Sequence, residues 1–148
     1  MIALACDHGG FELMLEIKAH LDAEGFEYMD FGTLSTESCD YPDYAVRAAR
    51  AVARRECDRG ILVCGTGVGM SIAANKVPGI RAALCADCFT AEMTRRHNDA
   101  NILALGGRVI GSGLALKIVD VFLSTGFEAG SRHSRRVGML SELDETRD

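Results

Sequence analysis

Short apolar runs alternate along the chain with longer stretches in which apolar residues recur every three or four positions. Ile2 to Cys6 is an uninterrupted apolar run ending at Asp7-His8-Gly9-Gly10, after which Phe11, Met14, Ile17 and Leu21 return at helical spacing until Gly25 stops the helix. Phe26 to Phe31 reads as a second strand and Gly32 to Asp40 as a polar loop. Tyr41-Pro42-Asp43 then opens an alanine-rich helix to about Cys57, with Ala45, Ala49, Val52 and Ala53 on its buried side. A third strand, Ile61-Leu62-Val63-Cys64, runs into Gly65-Thr66-Gly67-Val68-Gly69 and a small-residue helix. Val77-Pro78-Gly79 breaks the chain, Arg81 to Cys85 is a fourth strand, and a helix from Asp87 ends near His97-Asn98. Ile102 to Leu105 is a fifth strand, Leu114 to Leu123 a helix, and a basic segment from about Arg132 runs helically to Leu143.

Strands alternating with helices at this spacing predict an α/β fold, a Rossmann-like three-layer α/β/α sandwich around a five-stranded parallel sheet. The order 2-1-3-4-5 is the natural arrangement. It makes strands 1 and 3 neighbours at the switch point, where ligands enter at the carboxyl ends. Asp7-His8 follows strand 1 and Cys64 closes strand 3. Topology thus brings an acid, an imidazole, a thiol and a glycine loop to one crevice.

The loop after Cys64 carries the most chemistry. Backbone N–H groups of such a loop, with the positive end of the following helix, suit an anion or a developing oxyanion, and a thiol beside them has its thiolate stabilised. The plainer reading is a tight strand-to-helix turn with Cys64 as a small buried hydrophobe. Three alternating glycines, with Thr66 between two of them, favour the functional one, because glycine weakens a fold unless backbone must turn sharply or approach a ligand. Gly65 and Gly67 also match the first two glycines of a dinucleotide fingerprint, with Asp87 where a ribose-binding acid belongs, but position 70 is Met and the loop follows the third strand.

Length and composition narrow the classes. At 148 residues, 48% hydrophobic and 25% charged, the chain suits a single domain spanning 1–148 with a real core. The net charge of −5 gives no basic footprint for nucleic acid, and no apolar run reaches membrane-spanning length. With no secretory pattern, a cytoplasmic location is expected, and the 6 cysteines read as reduced thiols. Cys85-Ala-Asp-Cys88 lacks a second ligand pair, and the 4 histidines show no ligand spacing, so no metal is expected.

Several segments together carry a resemblance. Cys6-Asp7-His8-Gly9-Gly10, Asp40-Tyr41-Pro42-Asp43-Tyr44, Cys64-Gly65-Thr66-Gly67-Val68-Gly69, Asn75-Lys76, His97-Asn98-Asp99-Ala100-Asn101 and Arg132-His133-Ser134-Arg135-Arg136-Val137, in that order, resemble type B ribose-5-phosphate isomerase, within the wider family that includes galactose-6-phosphate isomerase. The resemblance implies cofactor-free aldose-ketose isomerisation of a sugar phosphate. It makes Cys64 the base that moves a proton between C1 and C2, and His97 the acid that helps open the furanose ring. Asp7, His8, Gly65, Thr66, Gly67, Val68, Gly69, Asn98, Arg108, Arg132 and Arg136 would bind substrate. The chemistry agrees: abstraction next to a carbonyl needs the enediolate oxygens stabilised, and Arg132 and Arg136, four apart, share a helix face suited to a phosphate.

The resemblance further implies a homodimer with shared active sites. The final helix, with Val137, Leu140 and Leu143 as an apolar stripe, follows the last covering helix and is expected to pack on a partner subunit. His97, Asn98 and Arg108 are then expected to meet the partner's Cys64 and arginine pair. Two other readings remain: an isomerase of a hexose 6-phosphate of the allose or galactose type, and a non-enzymatic nucleotide-binding module.

Overall fold

The computed structural model describes residues 1–146. Its elements are β1 (Ile2–Cys6), α1 (Phe11–Ala23), β2 (Tyr28–Asp30), α2 (Tyr41–Ala53), β3 (Arg59–Cys64), α3 (Val68–Ala74), β4 (Ala82–Leu84), α4 (Cys88–Asn98), β5 (Ile102–Gly106), α5 (Ser112–Ser124) and α6 (Arg132–Glu145). The five strands form one sheet with every pairing parallel. Successive strand residues point to opposite faces. Leu4, Cys6, Ile61, Val63, Leu103 and Leu105 meet α1 and α5 on one face. Ala3, Ala5, Leu62 and Cys64 meet α2 and α3 on the other. The expected three-layer α/β/α fold is therefore present.

The strand order is β2-β1-β3-β5-β4, where 2-1-3-4-5 is expected from the sequence. The reason lies in burial. All five residues of β5 are buried, so it needs a neighbour on each side, whereas β4 has only three residues, with Leu84 exposed, and suits an edge. Its free edge is covered by an amide: Asn75 Nδ2 donates to the Ala82 carbonyl at 3.0 Å and Asn75 Oδ1 accepts from the Ala82 N–H at 2.8 Å. The swap places β5, and with it the loop that carries Arg108, directly beside β3.

Two boundaries also differ. β2 starts at Tyr28 rather than Phe26. Helix α2 stops at Ala53, short of Cys57, in a Schellman turn: the Glu56 N–H donates to the Ala51 carbonyl and the Arg55 N–H to that of Val52, both at 3.0 Å. Ala53 is consequently exposed, unlike Ala45, Ala49 and Val52. Helix α6 packs on α4, outside the layer that covers the sheet. No helix among the described residues is long and apolar enough to cross a membrane.

Candidate active site

At the carboxyl ends of β1, β3 and β5 three loops converge. Asp7 is buried and its Oδ1 accepts from the N–H groups of Gly9 and Gly10 at 2.9 and 3.1 Å, which closes the turn after β1. That turn lies against β3 so closely that a Cβ on Gly10 would stand 2.2 Å from the Val63 carbonyl oxygen, a position open only to glycine. His8 projects beside it, and its Nδ1 accepts from the backbone N–H of Cys39 at 3.2 Å. With Nδ1 accepting, the proton of the neutral ring sits on Nε2, which leaves the imidazole as a donor.

Cys64 ends β3 and is only 5% exposed. Its Sγ accepts from the Gly67 N–H at 3.1 Å. Gly67 has φ +79°, and this left-handed residue turns the chain so that its N–H points back at the sulfur before α3 begins at Val68. Thr66 Oγ1 accepts from the Val68 N–H at 3.3 Å, and the Tyr41 ring lies over Gly69. From β5, the N–H groups of Gly107 and Arg108 donate to the carbonyls of Cys64 and Gly65 at 2.8 and 2.9 Å. The Arg108 side chain lies over Gly65. Asp7, His8, Cys64, the 65–69 loop and Arg108 therefore form one constellation within one chain. The placement of Arg108 corrects the expectation that it would join a partner's Cys64, and follows from the strand order.

The remaining candidates form a second constellation elsewhere. Helix α4 runs back from the carboxyl end of β4 and hands the chain to the start of β5, so His97 and Asn98 lie at the amino ends of the strands. Its 11 residues correspond to about 16 Å of helix. There the His97 ring stacks on His133 of α6, with centroids 4.0 Å apart and planes 12° from parallel. Arg132 and Arg136 stand exposed on the same helix, as expected from their spacing. His97 and Cys64 are thus not brought together within one chain. The Arg pair and the apolar residues Met139, Leu140 and Leu143 also face outward, each of the three more than 40% exposed.

Electrostatics distinguishes the thiols and the histidine pair. Burial pushes the Cys6 thiol up to about 12 and the Cys85 thiol to about 11, which leaves both protonated and inert and argues against a redox role for Cys85-x-x-Cys88. His133 is held below the ordinary imidazole value, first by burial and then by the charges of His97 and Arg132. His97, Glu128 and His133 place ligand atoms within 4.8 Å of one another, a trio of metal-capable groups that the sequence does not reveal because Glu128 lies far from His97 in the chain. Arg96, 3.8 Å from Glu128, and the charges of Arg132 and Arg136 on His133 make this corner a setting for an anion rather than a cation. Cys39, Tyr41 and Glu128 are contributors that pattern reading does not single out. The signal for Cys39 was the polar loop ahead of Pro42, and Tyr41 stood in the Asp40 to Tyr44 segment that carries part of the resemblance.

The chain, a parallel α/β sheet with a thiol, a glycine loop and an arginine at its switch point, matches the ribose/galactose isomerase family over residues 2–140. The chain belongs to that family. It is 52% identical over 147 residues to ribose-5-phosphate isomerase B of Escherichia coli K12, covering 99% of this chain and 98% of the relative. Among solved structures, ribose-5-phosphate isomerase B of Clostridium thermocellum superposes with a TM-score of 0.95 at 56% identity, covering 97% of both chains. Ribose-5-phosphate isomerase B of Mycoplasma genitalium, solved with bound ribulose-5-phosphate, gives 0.93 at 40% identity, covering 99% of this chain and 97% of the other. The chain is thus an aldose-ketose isomerase by family.

Proposed function

We propose that this protein interconverts ribose 5-phosphate and ribulose 5-phosphate in a site assembled from two copies of the chain. The observation that carries the reading is the Gly67 N–H held 3.1 Å from Cys64 Sγ at the head of a glycine loop. The chain's likeness to relatives named for this reaction supports it as well.

In the open-chain aldose, the Cys64 thiolate takes the proton from C2, the C2–H electrons form a C1=C2 double bond, and negative charge collects on O1. The N–H groups of the 65–69 loop other than those of Gly67 and Val68, which are taken by Cys64 Sγ and Thr66 Oγ1, are the donors for this enediolate, and preset donors are the most effective way to stabilise developing charge. Return of the proton to C1 and transfer of the O2 proton to O1 complete the ketose. The reaction is internally balanced, since nothing leaves the sugar. Asp7, His8 and Arg108 bind the sugar from the same chain. His97 of the second copy assists ring opening, its Asn98 binds the sugar, and its Arg132 and Arg136 grip the phosphate.

Cys64→Ala tests the base. The substitution removes a proton carrier and not a large core side chain, so turnover of ribose 5-phosphate should fall by about a hundredfold or more while binding of the sugar phosphate and the fold persist. Near-normal turnover would remove Cys64 from the mechanism and leave Asp7 as the next candidate base.

A further inference from the structure

A second cationic cleft, of about 480 Å³, lies at the amino ends of the strands and is lined by Arg55, Arg59, Arg81 and Arg95 together with Asp58 and Asp99. Four of the chain's 16 basic residues gather here in a protein of net charge −5, so the concentration runs against the background.

The charges in the cleft do not balance. Asp99 is occupied by two guanidinium groups, Arg81 Nη2 at 3.3 Å and Arg95 Nη1 at 2.9 Å. Asp58 is taken by the chain's N-terminal amine at 2.8 Å. Arg59 has no carboxylate within 4.0 Å among the described residues, and its Nη1 donates only to the neutral Phe122 carbonyl at 2.9 Å. Burial, and after it the nearby charge of Arg95, lowers the Arg59 pKa against the opposing pull of Asp99 and Asp58, yet a guanidinium stays protonated at neutral pH, so the half-buried charge persists with no carboxylate in direct contact. With two carboxylates against four guanidinium groups and the N-terminal amine, the cleft keeps an excess of positive charge.

The backbone points to the same place. Among the described residues only two non-glycine residues have positive φ, Arg55 at +61° and Asp99 at +46°, and both line this cleft. Arg55 occupies the left-handed position of the Schellman turn after α2, where glycine would avoid a cost of about 1 kcal/mol or more. Keeping an arginine there adds a further cation to the lining of the cleft.

We propose that this cleft is a second anion site, taking a phosphate group of a small polyanion within the lining to which Arg55 and Arg59 contribute, separate from the grip on substrate phosphate. Two guanidinium groups match one phosphate dianion in charge and in planar donor geometry. Because Asp99 directly follows His97-Asn98, and the Asn98 carbonyl accepts from Arg81 Nε at 3.0 Å, occupancy of the cleft bears on the end of α4 that carries His97 and Asn98.

The test uses pyrophosphate as the probe and the Arg132→Gln/Arg136→Gln protein, which lacks the proposed substrate-phosphate grip. Isothermal calorimetry should report binding at one site per chain, weakened about tenfold by a further Arg55→Gln change, the loss expected for one charge-assisted hydrogen bond, and partly restored by Arg55→Lys. Arg55 is exposed at a helix end, so these variants keep the fold. In the otherwise native protein, Arg55→Gln should leave isomerase turnover unchanged without pyrophosphate. Absence of binding to the Arg132→Gln/Arg136→Gln protein, or binding indifferent to residue 55, overturns the proposal.

Discussion

At Gly67 one residue meets two demands. Its φ of +79° aims the N–H at Cys64 Sγ, and a Cβ there would stand 2.8 Å from the Leu105 carbonyl carbon and 2.5 Å from Leu84 Cδ1. Gly67→Ala should therefore cost about 2–4 kcal/mol, from left-handed strain and overpacking together. It should also cut turnover more than binding, because the donor leaves the sulfur. Denaturant unfolding paired with steady-state kinetics would check this, and a fully active, stable variant would refute the geometry. At this scale the first constellation was largely legible, since Asp7-His8 and Cys64 to Gly69 are contiguous and sit where strands end. The His8 partner Cys39 was not, because a backbone donor from a polar loop leaves no mark in side-chain pattern. Glu128 was hidden for a similar reason, being brought to His97 only by folding.

The helices and strands followed the apolar periodicity, because each buries one stripe or one alternating face. What periodicity leaves open is neighbour choice. Strands β4 and β5 both read as apolar runs, and only the full burial of Ile102–Gly106 against the partial exposure of Ala82–Leu84 decides which is interior. The same gap applies to α6, whose place on α4 is set by the His97–His133 stack rather than by its own pattern. That contact carries a pH dependence. His133 is harder to protonate in the folded chain than in the unfolded one, so the unfolded state binds more protons as pH drops below the ordinary value of 6.5. The contribution of this residue to stability is complete above that pH and is lost as pH falls from it towards the depressed folded value. The melting temperature should consequently decline more steeply between pH 7 and pH 5 in the wild type than in His133→Gln. Parallel declines would show that another group is titrating.

For the whole molecule, the decisive fact is the separation of the two constellations. Cys64 and Arg108 lie at the carboxyl ends of the strands, whereas His97 and the Arg132–Arg136 face lie at the other end, with α4 between. The residues that the resemblance assigns to one site can meet only if a second chain supplies half of them. The exposed Met139, Leu140 and Leu143 beside the arginine pair offer the surface on which such a partner would sit. The sequence reading set Arg108 with His97 and the arginine pair with Cys64, whereas in the chain Arg108 lies over Gly65, because β5 stands next to β3, and the arginine pair shares α6 with the His133 that stacks on His97. Mixing Cys64→Ala chains with His97→Asn chains tests the assembly directly. Each heterodimer should then hold one site with both residues intact and one with neither, so activity should recover to about a quarter of wild type when mixing is random and sites act independently. No recovery, with subunit exchange demonstrated independently, would place Cys64 and His97 in the same half and contradict the shared site.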